Sequence, residues 1–271
     1  MRKSVLSAAV ATAFAVPTLV AAQTPAPAPT PAVTGNISIV SDYRFRGITQ
    51  TFEKPAIQGG IDYANAQNGL YLGNWNSNVS QGAGFPGGNI EMDFYGGWKK
   101  AFGDLGLDVG FIYYYYPGTD SAPGLVGAPT NNRTGAVASG KVDNKEIYIG
   151  GTWKFLSLKF FDSIDDYFAV PGTKNTYYLD LSGNYDLGSG WGVVGHIGHL
   201  NLKDVNDGSY TDWKLGVTKD LSGWVLGATY VDTNAKGDCG SGQFYCFLNT
   251  SGTETKNAGK STVVLSVSKT F

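Results

Sequence analysis

Two stretches of this sequence carry charge at alternate positions, Asp42, Arg44 and Arg46 in one and Glu91 and Asp93 in the other, and a third places Asp180 and Asp186 on one face six positions apart. In an extended chain, alternate side chains share a face and stand about 6.6 Å apart. A face charged at that pitch can line a passage and sort solutes by charge. It can equally pair with opposite charges and fill a narrow interior. Other groups promise less. His196 and His199, three apart, fall on opposite faces of a strand and cannot chelate one ion together, so the spacing predicts no metal site. Ser182 and Ser209 fall on strands next to that of His196, but no motif joins a nucleophile to its base. The sequence therefore points to no catalytic residue and no cofactor. Gly82, Gly84, Gly87 and Gly88 precede a strand rather than a helix, which argues against a phosphate cradle.

The elements that hold these charges read as strands. Across 36–47, Ile37, Ile39, Tyr43 and Phe45 alternate with Asn36, Ser38, Asp42, Arg44 and Arg46. Across 89–99, Ile90, Met92, Phe94 and Trp98 alternate with Glu91, Asp93, Tyr95 and Lys99. The same period of two recurs at 55–64, 69–78, 105–116, 145–154, about 155–162, 175–187, from Trp191, 209–219, 223–232 and 262–271. About twelve strands follow, several near the ~9–11 residues that cross a bilayer at a tilt. The links alternate in length. Those at 65–68, 100–104, around 155, 187–190 and 219–222 are short; most of those between them are longer. Short periplasmic turns and long outer loops characterise transmembrane barrels, whereas a soluble sandwich has no reason to alternate. The expected fold is all-β: a single antiparallel transmembrane β-barrel. Charges facing lipid would each cost a few kcal/mol near the midplane, so they should face the lumen. On that parity Asp42, Arg44, Arg46, Glu91, Asp93 and Asp180 line it, Tyr43 and Phe45 meet lipid, and Lys154 joins the inward bases. Inward acids outnumber inward bases slightly, which predicts a weak cation preference.

The rest of the chain agrees. Arg2 and Lys3 precede an apolar stretch ending in Val20-Ala21-Ala22, the pattern of a signal peptide over 1–22 cut near Ala22. A Pro/Ala-rich linker over 23–34 should follow, with the barrel over 35–271. Loss of Arg2 and Lys3 takes the formal charge from −2 to −4, against nucleic-acid binding. Aromatics make up 13% of the chain, and 38 of its 271 residues are glycine, about twice the usual ~7%. The terminal strand ends on Phe271, the feature expected to engage barrel-assembly machinery, with outer-membrane lipid around the finished wall. Cys239 and Cys246, in an exported chain, should be oxidised to a disulfide within an outer loop.

Four segments, 41–50 (SDYRFRGITQ), 58–63 (QGGIDY), 73–79 (GNWNSNV) and 113–118 (YYYYPG), resemble the TorF-family porins. The likeness is dense over 35–118 and looser beyond. It implies an outer-membrane barrel and no particular substrate. Two functions stay open at this stage. One is diffusion of small hydrophilic solutes through a narrow charged lumen. The other is a filled structural or surface-recognition barrel.

Overall fold

The computed structural model describes residues 32–85, 87–119 and 141–271. Its strands are β1 (Ala32–Val40), β2 (Arg44–Phe45), β3 (Ile48–Thr49), β4 (Ala56–Ala64), β5 (Leu70–Asn78), β6 (Ile90–Phe102), β7 (Leu105–Tyr115), β8 (Asn144–Trp153), β9 (Leu156–Ser163), β10 (Tyr177–Gly188), β11 (Trp191–Asn201), β12 (Tyr210–Leu221), β13 (Trp224–Thr233), β14 (Cys246–Leu248), β15 (Thr255–Asn257) and β16 (Thr262–Thr270). Twelve of them close into one antiparallel barrel, each pairing with its neighbour in sequence along the wall. β1 and β16 form the seam, with Ser38 opposite Ser268 and Val40 opposite Ser266. Closure leaves the wall no unpaired edge, as a lipid environment demands. The signal peptide and most of the linker expected from the sequence lie outside the described residues, and β1 takes in Ala32 to Thr34.

The alternation of side chains explains the two surfaces. Ile37, Ile39, Ile57, Ile61, Leu215, Val217, Val263 and Leu265 are all exposed on the outside. The residues between them are polar and buried, among them Ser38, Gln58, Thr218, Thr229 and Ser268. An apolar outside with a polar inside inverts a soluble protein and fits a barrel in lipid. Five links at one end are tight turns, and six at the other end are longer. Lys154, expected on the inward face, instead occupies the β8–β9 turn with φ of 54°.

The first strand departs from expectation. It stops at Val40 instead of continuing to 47. The segment 41–55 then turns into the barrel, carrying the small β2–β3 hairpin, in which Arg44 faces Thr49. The alternation continues past the strand's end because this hairpin is itself extended. Its two faces do not mean lipid and lumen, since both are buried. Tyr43, 2% exposed, therefore lies inside rather than against lipid, as does the largely covered Phe45.

Candidate functional site

The loop end of the lumen is packed with mostly apolar side chains. Phe45 and Ile48 of the infolded segment meet Phe85, Phe168, Leu202, Phe244 and Phe247 from other loops and rims. The cavity left among them is about 70 Å³, well below the ~150 Å³ that holds a benzene ring. Apolar burial thus holds the long links together over the barrel mouth.

Charged groups anchor the infolded segment beneath that layer. Asp42 accepts hydrogen bonds from Thr49 Oγ1 at 2.7 Å, Thr51 Oγ1 at 3.1 Å and Arg44 Nε at 2.5 Å. Arg44 Nη1 donates to the carbonyls of Gly47, Ala258 and Lys260 at 3.0–3.1 Å. Arg46 makes a two-pronged contact with Glu146 on β8, at 2.9 and 2.7 Å. Its guanidinium lies 4.2 Å from the Tyr178 ring centre and 4.7 Å from that of Phe45. Planar stacking and a forked carboxylate contact use the two recognition modes that distinguish arginine from lysine. The turn itself requires Gly47, whose φ is +78° and whose added Cβ would stand 2.8 Å from Asp212 Cβ. Tyr43 Oη donates to Glu91 Oε1 at 3.1 Å, so this aromatic serves the interior.

The turn end of the lumen follows another rule. Inward tyrosines lie flat against the wall because the facing position on the next strand is glycine. Tyr95 is paired with Gly73, Tyr148 with Gly110 and Tyr71 with Gly97. A Cβ on Gly110 would meet Tyr148 Cζ at 2.5 Å, and one on Gly73 would meet Tyr95 Cζ at 2.6 Å. Glycine inside a strand is otherwise unfavourable, and close approach of a neighbouring group is its usual reason. Laid flat, the Tyr95 and Tyr71 rings carry their hydroxyls past the adjacent strand to an acid, and Tyr148 carries its own to the Tyr71 hydroxyl. Tyr95 donates to Asp62 at 2.5 Å, and Tyr71 donates to Asp108 at 2.6 Å and also touches Tyr148 Oη. Lys159 Nζ completes the Asp108 site at 2.7 Å. Hydrogen bonds to charged groups of this kind contribute roughly 1.5–3 kcal/mol each.

Asp180 belongs to a third cluster. His196 Nε2 stands 2.8 Å from Asp212 Oδ1, and Nδ1 stands 3.2 Å from Asp180 Oδ2. Tyr178 Oη donates to Asp212 Oδ2 at 2.8 Å. His199 points outward, to Thr211, so the two histidines are on opposite faces, as their spacing predicts. Ser182 Oγ is 3.1 Å from His196 Nδ1, so the neighbouring-strand serine of the sequence reading does meet the histidine, with Asp180 and Asp212 as the partners that reading did not bring in. Its hydroxyl, however, donates to Asp180 Oδ1 at 2.6 Å. A nucleophile needs its proton facing the base; this one is committed to a carboxylate, and the grouping reads as a hydrogen-bonded brace across the three strands. Ser209 is elsewhere, bonded to Leu202.

The β13–β16 link carries the disulfide Cys239–Cys246, with Cα atoms 5.0 Å apart. Closing so short a loop stabilises by roughly 2–3 kcal/mol and acts on the link more than on the wall. Intact-mass measurement without reductant should show the peptide two mass units below its dithiol form; quantitative thiol labelling of the native protein would refute the bond. Nearby, Lys256 Nζ contacts Glu53 Oε2 at 2.7 Å, tying this link to the infolded segment. That hydrogen bond to Glu53 holds the Lys256 ammonium above the ordinary lysine range.

Solved structures share this barrel fold. A structure titled "KdgM porin" aligns over 88% of this chain and 98% of its own, with 8% identity and a TM-score of 0.51. "KdgM porin in complex with disordered oligogalacturonate" aligns over 89% and 99%, with 8% identity and a TM-score of 0.49. "TodX deltaS2S3 mutant monoaromatic hydrocarbon channel" aligns over 89% of each chain, with 11% identity and a TM-score of 0.43. No curated protein sequence matches the chain. A family model matches residues 23–271, which include every strand described above, and the chain thereby belongs to the Gcw_chp family, described as bacterial protein of unknown function.

Proposed function

We propose that this protein is an outer-membrane channel for small hydrophilic solutes, with a narrow charged lumen and an outer mouth closed by its own segment 41–55. The observation that carries this reading is the flat seating of the inward tyrosines. A filled structural barrel is best served by large side chains crossing the axis. Here Gly73, Gly97 and Gly110 instead let Tyr95, Tyr71 and Tyr148 lie along the wall, with acids and lysines between them. Glycine at those positions sacrifices packing and gains width. The apolar exterior supports residence in a bilayer, and the TorF-like segments support the same class. Export by a signal peptide cut near Ala22 and engagement of assembly machinery through Phe271 complete the proposed route.

In this reading Asp42, Arg44 and Arg46 belong to the gate, and they bear on selectivity together with Glu91, Asp93 and Asp180. Planar-bilayer recording under a salt gradient tests it. Wild-type protein should give discrete current steps. The variant Arg44→Gln with Arg46→Gln leaves Asp42 and Glu146 without their cations, and should shift the reversal potential towards cation preference. The shift should shrink near 1 M salt, where the screening length falls to about 3 Å. A folded wild-type barrel that never conducts, even with segment 41–55 released, would favour the filled surface barrel.

A further inference from the structure

One acidic pair in the lumen is left unbalanced. Asp93 is 3% exposed and Glu91 1% exposed, both on the inward face of β6. Among the described residues neither forms an ion pair: Arg46 is committed to Glu146, Arg44 to Asp42 and Lys159 to Asp108. Among the described residues, Asp93 Oδ1 is buried with no hydrogen-bond partner, and so is Glu91 Oε2. Glu91 Oε1 does accept a bond from Tyr43, and the Tyr116 hydroxyl also approaches this carboxylate. A buried carboxylate without a partner costs several kcal/mol unless something compensates it. Two carboxylates on alternate positions of one strand make that worse, because each raises the cost of charge on the other.

The surroundings say what the compensating group would be. Asp93 is paired across the sheet with Trp75 on one side and Tyr114 on the other. Both are buried and inward. The Tyr43 ring, from the infolded segment, meets Trp75 edge-on at 5.5 Å between centroids. Unpartnered carboxylate oxygens framed by aromatic rings are poorly suited to a hard metal ion, which needs six or more oxygen ligands if calcium. Among the described residues no three His, Cys, Asp or Glu side chains are arranged so that they could hold a metal ion. They suit an ammonium group. Its N–H can bond a carboxylate while ring faces replace its hydration through cation–π attraction.

We propose that Asp93 and Glu91, framed by Trp75, Tyr114 and Tyr43, bind the ammonium group of a small organic cation inside the barrel. The inference extends the channel reading by naming a class of solute, yet binding does not require conduction. Because Tyr43 reaches Glu91 from segment 41–55, the ligand is held between the wall and the gate.

Calorimetric titration of the full chain, folded in detergent, with methylammonium chloride at constant ionic strength tests this. Saturable binding of one ion per chain is expected. Asp93→Asn should weaken it at least tenfold. Glu91→Gln should weaken it less, since Tyr43 already partners one oxygen. Trp75→Leu should weaken it severalfold while leaving both carboxylates in place, a loss that a purely ionic site would not show. Circular dichroism verifies that each variant keeps its strands. Absence of saturable heat with wild-type protein overturns the proposal. So does unchanged affinity in Asp93→Asn, or sodium chloride binding as tightly as methylammonium. A barrel that binds methylammonium and never conducts would sink the channel and leave this site standing. One that conducts without binding would do the reverse.

Discussion

Glu146→Ala should destabilise the folded barrel by roughly 3–5 kcal/mol and release the segment that closes its mouth. The pair it breaks is almost wholly buried, with Arg46 and Glu146 side chains 4% and 1% exposed. Taking away one partner strands the other charge in a buried site, the costliest way to damage a buried ion pair. Arg46 keeps Tyr167 Oη and its ring contacts, which cannot neutralise it. Glu146 also accepts bonds from Tyr114 and Asn144, so its loss unsettles three neighbours together. The double variant Arg46→Gln with Glu146→Gln removes both charges and should cost much less, while still freeing segment 41–55. Urea unfolding in detergent reads the stability difference, and single-channel recording reads the mouth. Both variants should show a larger or longer-lived open state than wild type. Equal stability of Glu146→Ala and wild type would mean that Arg46 is not held by this carboxylate.

The second large effect is steric and lies at the opposite end of the lumen. Gly110→Val places a branched side chain where a Cβ alone would be 2.5 Å from the Tyr148 ring and 2.8 Å from the Gly96 carbonyl. Backbone cannot yield there without breaking the β6–β7 ladder, so the ring must lift off the wall. Overpacking of this kind costs typically 1–3 kcal/mol. Tyr148 would lose its contact with Tyr71, and the displaced ring would narrow the channel. Conductance should fall along with stability. Adding Tyr148→Ala removes the obstructing ring and should restore conductance, a reversal that measures the coupling of the two positions directly. If Gly110→Val conducts like wild type, the ring does not border the path.

Most of the wall was legible because its physics is one-dimensional. Val263, Leu265 and Val267 alternate with Ser266 and Ser268, which fits a soluble sandwich as well as a barrel wall, and the alternation of short and long links decides for the barrel. The same holds for Phe94 against Glu91 and Asp93. The seating of Asp42, Arg44 and Arg46 was legible only in part. Their extended pattern was visible; that it belongs to a hairpin folded into the barrel was not. Parity assigns two faces but cannot say that both are interior, which is how Tyr43 and Phe45 were assigned to lipid. The tyrosine–glycine pairs were hidden for a different reason. Tyr148 and Gly110 are 38 positions apart, and only the register of β7 with β8 sets them side by side. Ser182, Asp180, His196 and Asp212 likewise meet through the registers of β10, β11 and β12. The surplus of glycine and aromatic residues was the available hint, though composition does not pair them.

Arg44 has a consequence for the order in which the molecule assembles. Two of its carbonyl partners, on Ala258 and Lys260, lie 214 and 216 positions further along the chain, just before the last strand. Those carbonyls come within reach only after β16 has docked on β1. Contacts between such distant parts of a chain form late, since loop closure must precede them. Segment 41–55 therefore cannot settle early, although it is among the first parts made. Until the seam zips, the hairpin lacks these two hydrogen bonds. A protease that cuts near Arg44 or Arg46 should thus distinguish barrels caught before closure from those that have completed it.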